Sequence, residues 1–211
     1  MDRGPWLQTA TGGYWYPFAP RAEDVRLDDM IALARVCRYG GHLHEDVVHY
    51  SVAEHAVRCF WAVRSMGGTV LEQLAALHHD SHEAYPPGDQ LGPFLRAVRS
   101  GVHNPLLGVS EEAFRGLLEV EARAEAAVRE AFDLGDVWKN PTSATLIKRA
   151  DHVLLATERR DLLAEQGVEW GPLPAPLPRR ITPWRTEVAW DAFYDAHQEL
   201  WAALGRLERR A

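Results

Sequence analysis

Apolar residues recur at intervals of three and four along most of this chain, and that spacing limits the fold more than any other feature. Such spacing places apolar side chains on one face of an α-helix, whereas a half-buried strand needs strict alternation. The 211 residues contain neither an alternating stretch of useful length nor an internal repeat. The pattern predicts an all-α fold, a helical bundle of about six to eight helices.

Glycine, proline and capping residues indicate where the helices begin and end. Ser51 and Glu54 have the spacing of a capping box, and the segment that they begin stops at Gly67-Gly68. The predicted helices run from Leu27 to Val36, Ser51 to Val63, Thr69 to Ala84, Glu111 to Phe132, Thr142 to Leu163 and Trp184 to Leu207.

The remaining segments carry too much proline and glycine for long helices. We expect residues 1–26 to form an N-terminal arm over the core. Residues 86–109 predict a long irregular loop with a helical turn from Phe94 to Val98, and residues 171–211 a proline-rich connector followed by the last helix. A chain of this length supports one sizeable core, so we expect a single domain over residues 1–211.

Composition and charge narrow the class of protein. Hydrophobic residues make up 46% of the chain and charged residues 25%, which is typical of a globular protein. The net charge of -7 offers no broad basic face for a nucleic-acid polymer. No stretch approaches the roughly 18 uninterrupted apolar residues of a membrane span, and we expect a cytoplasmic protein. Cys37 and Cys59 lack a CxxC partner, and we expect buried, reduced thiols without a chemical role.

A group of histidines and acidic residues points to metal chemistry. His79 and Asp80 are adjacent and offer one nitrogen and one oxygen donor, a mixture that suits a borderline divalent ion. His55 lies in the helical pattern before this pair, and Asp151 lies in a helical pattern far downstream. Both have apolar neighbours, and a polar side chain that projects into a core must be paired or bound. The pair alone would be weak evidence, but the three segments together indicate a metal site.

This ordered pattern resembles the HD superfamily of metal-dependent phosphohydrolases. Within it, the chain is most similar to bacterial 5′-deoxynucleotidases and to phage dNTP triphosphohydrolases, some of which remove triphosphate from dATP. The likeness covers roughly residues 25–165. It is carried by Arg38-Tyr39, the run from Ser51 to His55, His79-Asp80 with Glu83, Gly88-Asp89, and Ala150-Asp151 followed by Glu158 to Leu162.

The resemblance implies a role for each matched residue. The ligands of one divalent ion, which could be Mn, Co, Ni, Fe, Mg or Zn, would be His55, His79, Asp80 and Asp151. Glu83 would be the acid-base catalyst. The substrate-binding residues would be Arg38 at a phosphate, Tyr39 at the sugar or base, and Asp89 at a sugar hydroxyl. His42, His44 and His82 are candidates for additional contacts, and the alternative for His42 and His44 is that of exposed loop histidines without a role.

The activity implied by the resemblance is hydrolysis of a nucleotide phosphate ester. A 5′-deoxynucleoside monophosphate would give nucleoside and phosphate, or a dNTP would give deoxynucleoside and triphosphate. The expected partner is a small-molecule nucleotide, without a nucleic-acid polymer or a membrane, and we expect a homo-oligomer.

Two other functions stay open at this point. The additional histidines His78 and His82 would suit a second metal ion, as in di-iron oxygenases on the same scaffold, although those enzymes carry a histidine where Glu83 stands. A degenerate HD module that binds nucleotide without turnover is the other alternative. Near the C-terminus, helical spacing favours core packing over base stacking for a stripe of rings: Trp190, Phe193, Tyr194, His197 and Trp201.

Overall fold

The computed structural model describes residues 3–86, 88–89, 95, 98–101, 110–165 and 170–205. Within these ranges the protein is a bundle of helices, which confirms the predicted all-α class. The helices are α1 (Ile31–Arg35), α2 (Val52–Ser65), α3 (Val70–Leu77), α4 (Glu111–Ala131), α5 (Gly135–Lys139), α6 (Pro141–Leu162) and α7 (Thr186–Ala203). Short 3₁₀ turns lie at Ala22–Asp24, Leu27–Met30, Arg38–Gly41 and Ser81–Ala84.

Helix α2 lies at the centre of the bundle and packs against α1, α3, α6 and α7. It is buried on nearly all sides, as expected for a helix whose apolar residues are not confined to one stripe. The hydroxyl of Ser51 accepts a hydrogen bond from the backbone N–H of Glu54 at 3.1 Å, so the predicted N-cap is confirmed. The Glu54 carboxylate instead pairs with Arg58 and accepts the N–H of Trp184 at 2.8 Å, which joins α2 to the chain before α7.

The ring-bearing face of α7 packs into the core, as predicted. Phe193 is fully buried and His197 is nearly so. Nδ1 of His197 lies 2.8 Å from Nε2 of His78, whose ring stacks on Phe132 at 4.0 Å between centroids. The stripe therefore joins α7 to the end of α3.

The N-terminal arm is held against the bundle by specific contacts. Its two-residue strands β1 (Leu7–Gln8) and β2 (Tyr14–Trp15) pair antiparallel. Trp15 is buried and stacks on Tyr85 with 3.9 Å between ring centroids. Thr11 donates its N–H and its hydroxyl to Oδ1 of Asp29, each at 2.9 Å. The arm thus supports the chain directly after the 3₁₀ turn at Ser81–Ala84.

The third predicted helix is shorter than its sequence pattern indicated. Helix α3 ends at Leu77, so the segment Thr69 to Ala84 is not one helix, and His79 and Asp80 lie in the turn that follows.

The hairpin and α5 were not predicted, because elements of two to five residues are too short to show a period. Most of the expected loop at 86–109, including Phe94, lies outside the described residues. Among the described helices, none has the length and apolar character needed to cross a membrane.

Asp161 at the end of α6 forms a hydrogen bond to the proline-rich connector. Its carboxylate is almost fully buried and accepts hydrogen bonds from the N–H of Ile181 at 2.8 Å and from Arg160 at 2.7 Å. Burial alone would raise the pKa of Asp161, but these donors outweigh burial and lower the pKa below its ordinary value. The contact stabilises the fold only while the carboxylate is ionised.

Replacing Asp161 with Asn is expected to lower the free energy of unfolding at pH 7 by about 1.5–3 kcal/mol, because hydrogen bonds to a charged group are lost. The pKa of Asp161 is lower in the folded than in the unfolded chain. In the wild type, the stabilisation by Asp161 is therefore complete above the pKa that Asp161 has in the unfolded chain, about 3.9. It is lost as the pH falls through the lower pKa that Asp161 has in the folded chain. Urea unfolding at pH 7 and at acidic pH measures this. Asp136→Asn, at an exposed carboxylate, is the control; an equal loss in both variants would contradict the prediction.

Candidate metal centre

Donor atoms from three parts of the chain meet at one point. Nε2 of His55 lies 3.2 Å from Nε2 of His79 and 3.2 Å from Oδ1 of Asp151. Oδ2 of Asp80 lies 3.2 Å from Nε2 of His79 and 3.7 Å from Nε2 of His55. Atoms bound to one ion at about 2.0–2.2 Å are separated by about 3.0–4.4 Å. The spacing of these four side chains therefore fits a single metal ion.

The packing of α2 against α6 creates this meeting point. His55 is the fourth residue of α2, and Asp151 lies near the middle of α6. His79 and Asp80 reach the same place from the turn after α3, a helix that itself packs on α2. Two packed helices and one turn therefore supply the donors, and the turn is anchored by its helix.

Both histidine rings are oriented through their second nitrogen. Nδ1 of His55 lies 2.5 Å from Oε1 of Glu158, and Nδ1 of His79 lies 2.7 Å from the carbonyl oxygen of Ala76. Acceptors at these positions take the Nδ1–H, so that Nε2 of each ring can turn a lone pair to an ion. Histidines that bind metals are commonly held by a carboxylate or a carbonyl in this way.

The carboxylates of the cluster favour a positive charge at His55. Burial and the nearby Arg38 oppose a charged ring, but Cys59, Glu158 and Asp151 outweigh them and raise the pKa of His55 well above its ordinary value. A metal cation bound at Nε2 of His55 would meet the same preference for positive charge, because ligand deprotonation and metal binding are linked.

Glu158 is the organising residue behind the cluster. It is fully buried, and besides His55 its carboxylate accepts hydrogen bonds from the hydroxyls of Tyr50 at 2.9 Å and Tyr39 at 2.5 Å. Nε of Arg38 lies 3.4 Å from its Oε2. Burial would raise the pKa of Glu158, but His55, Arg38 and the hydrogen bonds lower it to about 2. No role was predicted for Glu158 from the sequence. It lies seven residues after Asp151, which is about two helical turns and places both residues on the same side of α6.

The 3₁₀ turn at Arg38–Gly41 carries two predicted substrate-binding residues. Nη1 of Arg38 lies 3.2 Å from Oδ2 of Asp80, which places the guanidinium beside the cluster. Tyr39 has a φ of 60°, a left-handed conformation that costs energy for an aromatic residue. The hydrogen bond between its hydroxyl and Glu158 stabilises this conformation and turns the hydroxyl inward.

Glu83 lies beside the cluster on the 3₁₀ turn Ser81–Ala84. Residues three apart are nearly eclipsed in a 3₁₀ helix, so Glu83 follows the direction of Asp80. Its Oε2 is buried and has no hydrogen-bond partner among the described residues. Burial raises the pKa of Glu83 well above its ordinary value, and the carboxylates of Asp80 and Asp89 raise it further. Burial also raises the pKa of Asp89 above its ordinary value, and the nearby Arg38 and the backbone of Tyr39 partly oppose this rise. Glu83 can therefore hold a proton next to the donor atoms.

The other histidines singled out in the sequence lie apart from the four donor atoms. His42 is exposed, and His44 pairs with Asp46 at 3.4 Å. His78 is bound to Ser81 and His197 in the aromatic core, and Nε2 of His82 lies 3.8 Å from Oε1 of Glu121 on α4. In the described part of the chain, no hydrogen bond or ion pair joins these histidines to the cluster.

Cys59 lies at the cluster, where the sequence indicated no chemistry. Its Sγ is 3.4 Å from Nε2 of His55, one helical turn earlier on α2. Burial raises the pKa of this thiol to about 11. Both cysteines are free thiols, but Cys37 is only half-buried. The sequence feature that could have identified Cys59 as part of the site is its spacing of four residues from His55, since this spacing places both on one helical face.

Glu158→Gln is expected to weaken divalent-metal affinity by about 10- to 100-fold, the usual effect of altering a residue that orients a ligating histidine. The amide keeps the size of the side chain but loses the charge that holds His55 and Arg38. Calorimetric titration with Mn²⁺ measures the effect. Glu130→Gln, at an exposed residue of α4, is the matched control. An unchanged affinity in a folded Glu158→Gln protein would show that Glu158 does not support the site.

The chain is similar in sequence to an uncharacterised protein. No family model matches it. It is 30% identical over 167 residues to the uncharacterized protein YfdR of Escherichia coli (strain K12), and the alignment covers 78% of this chain and 76% of that protein. The name of that relative states no activity. At this identity and coverage, the chain belongs to the same family as YfdR.

Proposed function

We propose that this protein is a metal-dependent phosphohydrolase of the HD superfamily that acts on nucleotide phosphate esters. The observation that carries the proposal is the meeting of donor atoms from His55, His79, Asp80 and Asp151 at one point. The same four residues match the ordered HD pattern of the sequence. The nucleotide class of substrate rests on the resemblance to 5′-deoxynucleotidases and dNTP triphosphohydrolases.

The donor set favours a divalent ion that accepts nitrogen and oxygen together, such as Mn, Co, Ni, Fe or Mg. Such an ion lowers the pKa of a water molecule and polarises a phosphoryl oxygen. Asp80 and Asp151 supply negative charge to hold it, and His55 and His79 supply neutral nitrogen. The oriented rings of His55 and His79 support this assignment.

Arg38 is suited to hold the phosphate. Its guanidinium lies beside Asp80 at the edge of the cluster, and the planar fork of Arg matches two phosphate oxygens. Its side chain is 12% exposed, so it can be reached from outside the core. Arg38 would thus position the phosphorus next to the donor atoms and offset the charge of the phosphate.

Glu83 is suited to transfer a proton in the reaction. When water attacks phosphorus, the bond from phosphorus to the sugar oxygen breaks, and that oxygen must gain a proton to leave. Protonated Glu83 would supply this proton, and the proton that the attacking water loses would restore Glu83. Oε2 of Glu83 is buried without a hydrogen-bond partner among the described residues, and this position and the raised pKa support the role of proton donor. Asp89 can accept a hydrogen bond from a sugar hydroxyl, because a carboxylate has several lone pairs.

The di-iron alternative has less support. A second ion would need donors from His78 or His82, but the first is bound to Ser81 and His197, and the second faces Glu121. Among the described residues, the metal-ligating side chains whose ligand atoms all lie within 4.8 Å of one another are those of His55, Cys59, His79 and Asp151, which form a single group. The presence of Glu83 as a proton-transfer group likewise supports an enzyme rather than a module that binds nucleotide without turnover.

A screen of nucleoside mono-, di- and triphosphates with Mn, Co, Mg and Ni tests the proposal. We expect hydrolysis to stop when a chelator removes the metal ion and to return when the ion is added back. Phosphate as product would identify a monophosphatase, and triphosphate would identify a triphosphohydrolase. Full nucleotide hydrolysis by metal-free protein, or two irons per chain with oxygen uptake, would overturn the proposal.

Glu83→Gln is expected to lower kcat by about 10²- to 10⁴-fold, because a proton-transfer group is lost. It should retain one Mn²⁺ per chain, whereas Asp151→Asn should lose the ion together with activity. Steady-state kinetics and elemental analysis on the same preparations separate the two effects. Glu112→Gln, at an exposed residue of α4, is the control. Normal turnover by Glu83→Gln would remove Glu83 from the mechanism.

A further inference from the structure

Two overlapping sets of donors surround the same point. His55, His79 and Asp151 belong to both. Asp80 completes one set through its Oδ2, at 3.2 Å from Nε2 of His79. Cys59 completes the other, in which all four ligand atoms lie within 4.8 Å of one another. The two sets differ in one donor, a carboxylate oxygen in the first and a sulfur in the second.

The position of Cys59 fits coordination rather than ordinary packing alone. In a tetrahedral site, a sulfur at about 2.3 Å and a nitrogen at about 2.1 Å from the ion lie about 3.6 Å apart. Sγ of Cys59 lies 3.4 Å from Nε2 of His55. The two residues are one turn apart on the same face of α2, a buried helix, so their spacing is maintained by the backbone.

We propose that Cys59 makes this centre a selective site for thiophilic ions such as zinc and cadmium, held by His55, Cys59, His79 and Asp151. This inference rests on the proposed metal centre. Harder ions such as manganese and magnesium prefer oxygen donors and use Asp80 instead. Four protein donors complete a tetrahedral shell, which is the property of a structural zinc site without an open position. A thiophilic ion would therefore inhibit hydrolysis, whereas a hard ion supports it.

Cadmium binding tests the proposal by a signal that does not depend on activity. The metal-stripped full-length chain is titrated with Cd²⁺ and with Mn²⁺, and the ultraviolet difference spectrum is recorded. Thiolate-to-cadmium charge transfer is expected to give an absorption band in the wild type at one ion per chain. The band should persist in Cys37→Ser, which retains Cys59, and vanish in Cys59→Ser. Cys37 is the matched control because it is the other free thiol of the chain.

Affinity supplies a second measurement. Cys59→Ser is expected to weaken Cd²⁺ binding by about tenfold or more while Mn²⁺ binding stays within about twofold, because only the thiophilic ion uses sulfur. Retained Mn²⁺ binding also shows that the variant is folded. Should Cys59→Ser fail to fold, the wild-type and Cys37→Ser spectra still decide: the proposal requires the band in both.

The outcomes separate this inference from the proposed function. One Cd²⁺ bound per wild-type chain without a thiolate band, or with a band that survives Cys59→Ser, overturns the role of Cys59 and leaves the hydrolase proposal standing. Failure of the wild type to bind Mn²⁺ or Cd²⁺ at one per chain overturns the metal centre itself. A band that Cys59→Ser removes, with Mn²⁺ binding unchanged, supports the inference.

Discussion

The buried contact between His55 and Glu158 is the interaction on which the site depends. It joins α2 to α6 with 2.5 Å between Nδ1 and Oε1, inside a core that excludes water. A carboxylate in such a place is costly unless nearby donors compensate it, and Tyr39, Tyr50 and Arg38 do so. The same contacts aim the ring of His55 at the donor cluster, so packing and site geometry are set by one group.

Charge balance explains why this polar cluster persists in an apolar core. Asp80, Asp151 and Glu158 bring negative charge to a small volume, and Arg38 offsets only part of it. The raised pKa of His55 reflects that excess. A divalent cation would meet the same demand with fixed geometry, because it would replace the proton and draw the donors together.

The site combines residues on helices with residues on short turns. His55, Cys59 and Asp151 lie on two long helices packed against each other, where their positions follow from the bundle core. Arg38, Tyr39 and Glu83 lie on 3₁₀ turns, and the left-handed conformation of Tyr39 is stabilised by its contact with Glu158. Under the proposed function, helices hold the ion and turns meet the substrate, as is common where function lies on loops of a stable scaffold.

The sequence by itself determined the helical class, the approximate bounds of the long helices and the four residues whose donor atoms meet. Periodicity shows the helical class and the helix bounds because each long helix repeats its pattern over several turns. The four donor residues were expected from the ordered motif and from the resemblance that it carries. It could not show where α3 ends, since the turn after Leu77 keeps apolar and polar residues at nearly helical intervals. Only the tertiary structure decided that Glu158 and Cys59 belong at the site and that His78 belongs to the aromatic core. The physical reason is that α2, α6 and α7 must pack before His55 meets Glu158 and His78 meets His197, which are 103 and 119 positions apart, and local spacing carries no record of those contacts. Local spacing does place Cys59 on the same helical face as His55, but only packing brings the other donors to that face.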